Sequence, residues 1–281
     1  MAKVTSNGDV ELATDAFGDP ADPPVLLIMG AMASMLWWPE AFCRALAARG
    51  RYVIRYDNRD TGLSTGYEPG SVSYSMEDMA DDAFAVLDAY GIDEAHVVGM
   101  SLGGMIAQLA AFGTPERVST LTLISTSPMG VDTARLPGMS EAYKQHGADG
   151  EKVDWSDLGQ VIDYVVKDMR MIASTRHPYD AAAARQFVEQ DVARARNFLS
   201  TTNHFLVEAK LDWSGCLARL RVPLLVIHGT SDPLFPVEHG REIARIAPLS
   251  RFVAIEGGGH ELHPLDWPRM IDEIAVHSAA E

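Results

Sequence analysis

Cysteine, positive charge and long apolar runs are all scarce in this chain, and each scarcity narrows what it can be. Its 281 residues hold two cysteines, Cys43 and Cys216, far apart and without metal-ligand spacing. Two buried reduced thiols fit better than a disulfide, and a reducing cytoplasm fits better than an oxidising compartment. Lysine and arginine number 23 against 39 acidic residues, for a net charge of −16. That deficit argues against nucleic acid or an anionic membrane surface as a partner. The acidity is spread along the chain and reads as solubility. The most apolar run, Val25 to Trp38, includes Gly30 and Ser34. It falls short of the ~20 residues that a membrane-spanning helix needs. Residues Met1 to Asp9 lack the apolar core of a signal peptide, so no export is expected. There is no repeat and no low-complexity tract. What is present, 47% hydrophobic and 22% charged residues, is ample for a globular core.

The chain is organised around His96-Val97-Val98-Gly99-Met100-Ser101-Leu102-Gly103-Gly104-Met105-Ile106-Ala107. Apolar β-branched residues open it, as in a buried parallel strand. Gly-x-Ser-x-Gly then makes a sharp turn, and Leu102, Met105, Ile106, Leu109 and Ala110 follow at helical spacing. A strand, a one-residue turn and a helix form a nucleophile elbow. Glycines are needed because the serine backbone is strained and the helix passes close by. The helix N-terminus aims N–H groups at whatever the serine attacks.

Around this stretch, strands and helices alternate. Val10 to Phe17 reads as an edge strand, Val25 to Met29 as a central strand, and Tyr52 to Tyr56 as the next. A helix is expected from near Pro39, and another after Ser75, which with Asp78 resembles a capping box. Leu121 to Ile124 is a further strand. From Ser127 to Arg221 the rhythm breaks, and helices are expected at Val153–Met171, Ala181–Arg196 and Thr201–Lys210. It resumes with strands at Pro223–His228 and Phe252–Ile255 and helices around Val237–Ile246 and Arg269–His277. The pattern predicts an α/β fold with a mostly parallel central sheet, helices on both faces and a helical cap inserted between strands. Residues 1–126 and 222–281 form the core in this reading, and 127–221 the cap.

A serine hydroxyl needs a base to take its proton and a third group to orient that base. Asp232 ends a strand within Gly229-Thr230-Ser231-Asp232-Pro233. Downstream histidines include His239, His260, His263 and His277; His260 follows three glycines that let a loop carry it over the sheet edge. The run His260-Glu261-Leu262-His263 spaces its histidines at i and i+3, not the i and i+4 of a helical zinc motif, so no metal is expected; nucleophilic serine chemistry implies no cofactor. Asp57, Arg59 and Asp60 read as a structural charge network.

Together the elbow, Gly-x-x-Asp-Pro after a late strand and Gly-x-Gly-His near the end resemble the capped serine α/β-hydrolases over nearly the whole chain. Asp57-Asn58-Arg59-Asp60-Thr61-Gly62-Leu63-Ser64 matches a loop of that superfamily, with Asp60 in place of the usual glycine. Met29-Gly30 stands where most members have His-Gly. With Gly18 to Pro23, these departures resemble aclacinomycin methylesterase-type esterases. The resemblance implies Ser101 as nucleophile, His260 as base and Asp232 as the orienting acid. It also implies oxyanion N–H groups from Ala31 and Leu102, and a pocket shaped by Gly30, Met32 and Met100. The expected reaction is hydrolysis of a small-molecule carboxylic ester, bulky and apolar or aromatic, through an acyl-enzyme. C–C bond cleavage beside a ketone and lactone opening are alternatives on the same fold; a ligand receptor that keeps the triad is one of another class. The sequence leaves open whether the chain is a homo-oligomer.

Overall fold

The computed structural model describes residues 2–6 and 8–279. Eight strands form one sheet: β1 (Ala2–Ser6), β2 (Val10–Phe17), β3 (Pro24–Ile28), β4 (Tyr52–Tyr56), β5 (Ala95–Met100), β6 (Val118–Ile124), β7 (Leu224–Gly229) and β8 (Ser250–Ile255). Their order is β1-β2-β4-β3-β5-β6-β7-β8; β1, β2 and β4 pair antiparallel, and the other neighbours are parallel. The central strands β3, β5, β6 and β7 are almost wholly buried because both faces are covered. Along β3 the faces alternate: Leu26 and Ile28 pack with Val97, Leu121, Ile106 and Leu87, while Val25 and Leu27 pack with Trp38, Phe42, Leu46 and Ile274.

The helices between these strands are α1 (Glu40–Ala47), α2 (Met76–Ala89), α3 (Leu102–Gly113), α8 (Glu238–Ile246) and α9 (Trp267–His277). The expected capping box on α2 is present, with Ser75 and Asp78 each accepting from the other's backbone N–H. One expectation changes at the sheet's first edge. The strand at Val10–Phe17 is internal, not an edge, because β1 pairs with it through a turn at Gly8 (φ 85°). β1 buries only Val4 and Ser6, too short an alternation to read from sequence.

Between β6 and β7 lie α4 (Glu141–Gly150), α5 (Leu158–Ile172), α6 (Ala181–Arg194), a 3₁₀ segment (Phe198–Leu206) and α7 (Cys216–Arg219). Here α5 begins later than expected, where the Asp157 carboxylate caps the N–H groups of Gly159 and Gln160. The helix expected at Thr201–Lys210 is instead the 3₁₀ segment, ending at Leu206. α5, α6 and the 3₁₀ segment share a small core of their own, Val161, Val165, Val188, Val192 and Phe198. Among the described residues, no helix is long and apolar enough to cross a membrane.

The sheet positions the site through its order. β3 lies between β4 and β5, so the chain leaves β3 toward one side and returns on the other. That is a switch point, where open α/β sheets bind ligands beyond the carboxyl ends of their strands. Ile28 pairs with Gly99, which brings the loop after β3 beside the turn after β5. Close packing there depends on glycine: a Cβ on Gly103 would fall 2.2 Å from the Ile28 carbonyl oxygen, and one on Gly99 2.2 Å from the Gly103 oxygen. Gly103→Ala should therefore cost at least the ~1–3 kcal/mol typical of overpacking. Thermal unfolding of the purified variant would show it; an unchanged melting temperature would mean α3 has room to move away.

Candidate active site

Ser101 is held at φ 55° and ψ −122°, a left-handed backbone that a serine adopts only under constraint. The constraint is visible on both sides of the residue. Its N–H donates to Ile124 O (3.0 Å), and its carbonyl accepts from Gly104 N (2.9 Å) and from Thr126 Oγ1 (2.7 Å). The turn projects the side chain against the loop after β3, where a Cβ on Gly30 would lie 2.9 Å from Ser101 Cβ. Leu102 is the first residue of α3, so its N–H has no partner within the helix and sits at the positive end of the helix dipole. In the Gly30 loop, Met32 N donates to His204 Nδ1 (3.1 Å) and Ala33 N to Gly30 O (3.4 Å). The Ala31 N–H takes part in neither of these bonds. Met32, half-buried, takes φ 62°; Met100 and Leu102 are buried.

The loops after β7 and β8 are zipped together by Thr230 N to Ile255 O (3.0 Å) and Ser231 N to Gly258 O (2.9 Å). They set Asp232 beside His260, and Asp232 Oδ2 lies 2.7 Å from His260 Nδ1. The other carboxylate oxygen accepts from Leu234 N (2.9 Å) and Phe235 N (3.0 Å). Burial by itself would raise the Asp232 pKa, but the charge of His260 and hydrogen bonds from His228 and His260 outweigh it and hold the carboxyl well below its ordinary value. A carboxyl lowered in this way stabilises the fold above its unfolded pKa and gives that up only as pH falls through the folded one. At neutral pH it is ionised and can hold His260 in one tautomer.

The glycines before His260 are used. Gly257 has φ 68°, and a Cβ on Gly259 would meet the Ile172 carbonyl oxygen at 2.0 Å. That carbonyl, at the end of α5, accepts His260 N–H at 2.8 Å. His263 goes elsewhere: its ring stacks on His177 (4.3 Å between centroids), and its Nδ1 accepts Leu265 N–H at 3.2 Å. His177, His263 and Asp266 form the metal-compatible group among the described residues, with ligand atoms within 4.8 Å of one another. Hydrogen bonding already engages it, since His177 Nε2 meets Asp266 Oδ1 at 3.0 Å.

The charged loop after β4 is structural, as expected. Asp57 pairs with Arg194 of α6 (2.7 Å) and accepts Met35 N–H (2.7 Å), and Arg59 forms a buried pair with Asp82 (2.6 Å). Asp60 accepts from Tyr74 Oη (2.6 Å) and Tyr67 N (2.6 Å). Its φ of 64° is the conformation for which glycine is the usual choice. Both cysteines are free, and burial pushes the Cys43 thiol up to about 12.

The helices between β6 and β7 bear on these loops. Ser140 N donates to Pro233 O (2.8 Å), Thr175 N to Gly257 O (2.9 Å), and Asp191 accepts from Ser34 Oγ (2.5 Å) and Trp37 Nε1 (2.9 Å). Sequence reasoning missed a polar group among them, made by Tyr143, His146 and Asp168. The available signal was Asp168 in the stripe Val161, Val165, Asp168, Ile172, an acid on the buried face of an amphipathic helix.

Comparison with known proteins agrees with this architecture. The alpha/beta hydrolase fold family matches residues 23–153 and 170–266. Rhodomycin D methylesterase DauP of Streptomyces sp. (strain C5) is 35% identical over 292 residues, covering 99% of this chain and 98% of its own. Rhodomycin D methylesterase DnrP of Streptomyces peucetius is 34% identical over 293 residues, covering 99% and 98%. The resemblance to aclacinomycin methylesterase-type esterases is borne out. Among solved structures, the esterase RhEst1 from Rhodococcus sp. ECU1013 superposes with a TM-score of 0.81 at 22% identity, over 99% of this chain and 98% of that one.

Proposed function

The chain belongs to the alpha/beta hydrolase fold family, and from that premise we propose that it is a serine hydrolase of carboxylic esters. The observation that carries this reading is the 2.7 Å bond between Asp232 Oδ2 and His260 Nδ1, in loops at the same carboxyl edge of the sheet as the strained turn of Ser101. In the reaction, His260 Nε2 takes the Ser101 proton as Oγ attacks the ester carbonyl. Asp232 holds the imidazole and stabilises its cation. Oxyanion charge is met by the N–H groups of Ala31 and Leu102. His260 then protonates the leaving alkoxide, and water activated by the same ring releases the acid. Residues 127–221 act as a cap, an assignment supported by their contacts to the Asp232 and His260 loops. Free thiols at Cys43 and Cys216 support a reducing cytoplasm as its location.

The substrate in this reading is a small-molecule ester with a bulky, apolar or aromatic acyl group, and the relatives' names point to a methyl ester. Met32 and Met100, with Gly30, shape the pocket; methionine adapts its form to irregular apolar groups. Acyl burial realised in the transition state raises kcat/KM by a factor of ten for each ~1.4 kcal/mol. Across p-nitrophenyl acetate, butyrate, octanoate and benzoate, kcat/KM should therefore rise from acetate toward octanoate and benzoate. A clear preference for acetate would show that the cap closes the pocket instead of lining it.

A further inference from the structure

The carboxyl of Asp168 has no role in the triad, yet it is built with the care of a binding group. It lies on α5 one turn before Ile172, whose carbonyl accepts the backbone N–H of His260. The facing helix α4 starts at Ser140, whose N–H is bonded to Pro233, the residue after Asp232. Both helices that carry this polar group are therefore stapled to the loops of the candidate triad. The two oxygens of Asp168 are treated differently. Oδ1 accepts the Tyr143 hydroxyl (2.8 Å) and lies 3.3 Å from His146 Nε2. Among the described residues, nothing donates to Oδ2. His146 is buried against Tyr164, their rings stacked at 4.5 Å, so it cannot swing over to serve the second oxygen. The Asp168 side chain nevertheless keeps 28% of its surface open. Burial pushes its pKa up, opposed by the Tyr143 hydrogen bond and by the charges of His146 and His260. The carboxyl is thus half-buried, has one oxygen to which nothing among the described residues donates, and lies near enough to His260 to feel that ring's charge.

We infer that Asp168, held by the Tyr143 hydroxyl and flanked by His146, is a specificity residue of the ester-binding cleft that accepts a hydrogen bond from a hydroxyl or ammonium group on the substrate. This rests on the reading of Ser101, Asp232 and His260 as an esterase triad and adds to it a polar anchor in an otherwise apolar pocket. An orphaned acceptor is costly to desolvate, so a substrate lacking the donor loses more than one hydrogen bond's worth of binding. A carboxylate in the same place meets like charge.

The test uses four p-nitrophenyl benzoates that differ at the meta position: methyl, hydroxymethyl, aminomethyl and carboxylate. Wild-type enzyme should favour hydroxymethyl and aminomethyl over methyl by about tenfold in kcat/KM, mainly through KM, and should handle the carboxylate worst. In Asp168→Asn the aminomethyl-to-methyl ratio should collapse toward one, while the carboxylate-to-methyl ratio should rise. The neutral hydroxymethyl ester separates hydrogen-bond acceptance from attraction by the chain's overall acidity. Equal wild-type rates on methyl, hydroxymethyl and aminomethyl esters would overturn the inference even where the variant does not fold. So would an aminomethyl-to-methyl ratio that survives Asp168→Asn. The esterase reading fails separately, if none of the four esters is hydrolysed and Ser101 does not react with a fluorophosphonate.

Discussion

Ser101→Ala is expected to lose kcat for p-nitrophenyl benzoate by on the order of 10⁴- to 10⁶-fold while keeping its fold, the range seen when a nucleophile is deleted from a serine triad. The loss is expected to be large because, in the proposed mechanism, the Ser101 hydroxyl forms the covalent intermediate. What survives is the contribution of the oxyanion donors and of binding alone. The fold should tolerate the change well. Ser101 is anchored through its backbone, by Ile124, Gly104 and Thr126, and an alanine keeps all three bonds. A methyl side chain is also no larger than the one it replaces, so the approach of Gly30 is undisturbed. Unfolding curves that match the parent, together with residual turnover near the uncatalysed rate, are the expected pair of results. Ordinary turnover in this variant would move the chemistry to another residue.

The second large effect separates two histidines that the sequence places three residues apart. His260→Ala should reduce kcat by on the order of 10⁴-fold or more, because the proton from Ser101 then has no acceptor and Asp232 is left buried without its partner. His263→Ala should cost little in kcat, since that ring is stacked on His177 and it is His260 that bonds to Asp232. Its removal loosens the seam between α5 and α6 and the loop before α9, which is a matter of stability. Equal losses of kcat, or the reverse order, would assign the base wrongly. A chelator belongs in the same series. EDTA should leave activity unchanged, and inhibition reversed by zinc would give the His177, His263 and Asp266 group a functional ion.

Much of this was legible in the sequence because the informative contacts are local or obey chain order. The elbow is a strand, a turn and a helix within twelve residues, and Gly99 and Gly103 announce the close approach that the sheet then shows. Asp232 and His260 are far from Ser101 in the chain, yet each lies in a loop that follows a parallel strand, at the same edge of the sheet as the turn of Ser101. His260 and His263 were not separable by spacing, since what distinguishes them is a loop bent by Gly257 and Gly259 around the end of α5. β1 stayed hidden because it buries two side chains and depends on β2 for its pairing. α4 stayed hidden because Gly147 and Gly150 weaken its helical pattern, and its stability comes from neighbours. The 3₁₀ segment at Phe198–Leu206 is held by Ser200, Thr201 and Thr202, whose hydroxyls bond to carbonyls three residues back, a local alternative that competes with the α-helix. Asp168 was readable in principle, as an acid where an amphipathic helix should have been apolar. Its meaning needed Tyr143 and His146 from another helix.

Labelling with a fluorophosphonate, followed by intact-mass and peptide analysis, tests the central claim most directly. The reagent traps an activated serine without depending on the identity of the ester. The account expects a single adduct per chain, located on Ser101, formed quickly in the parent and very slowly in His260→Ala. An adduct on another residue, or no adduct in a protein that still hydrolyses esters, would contradict it.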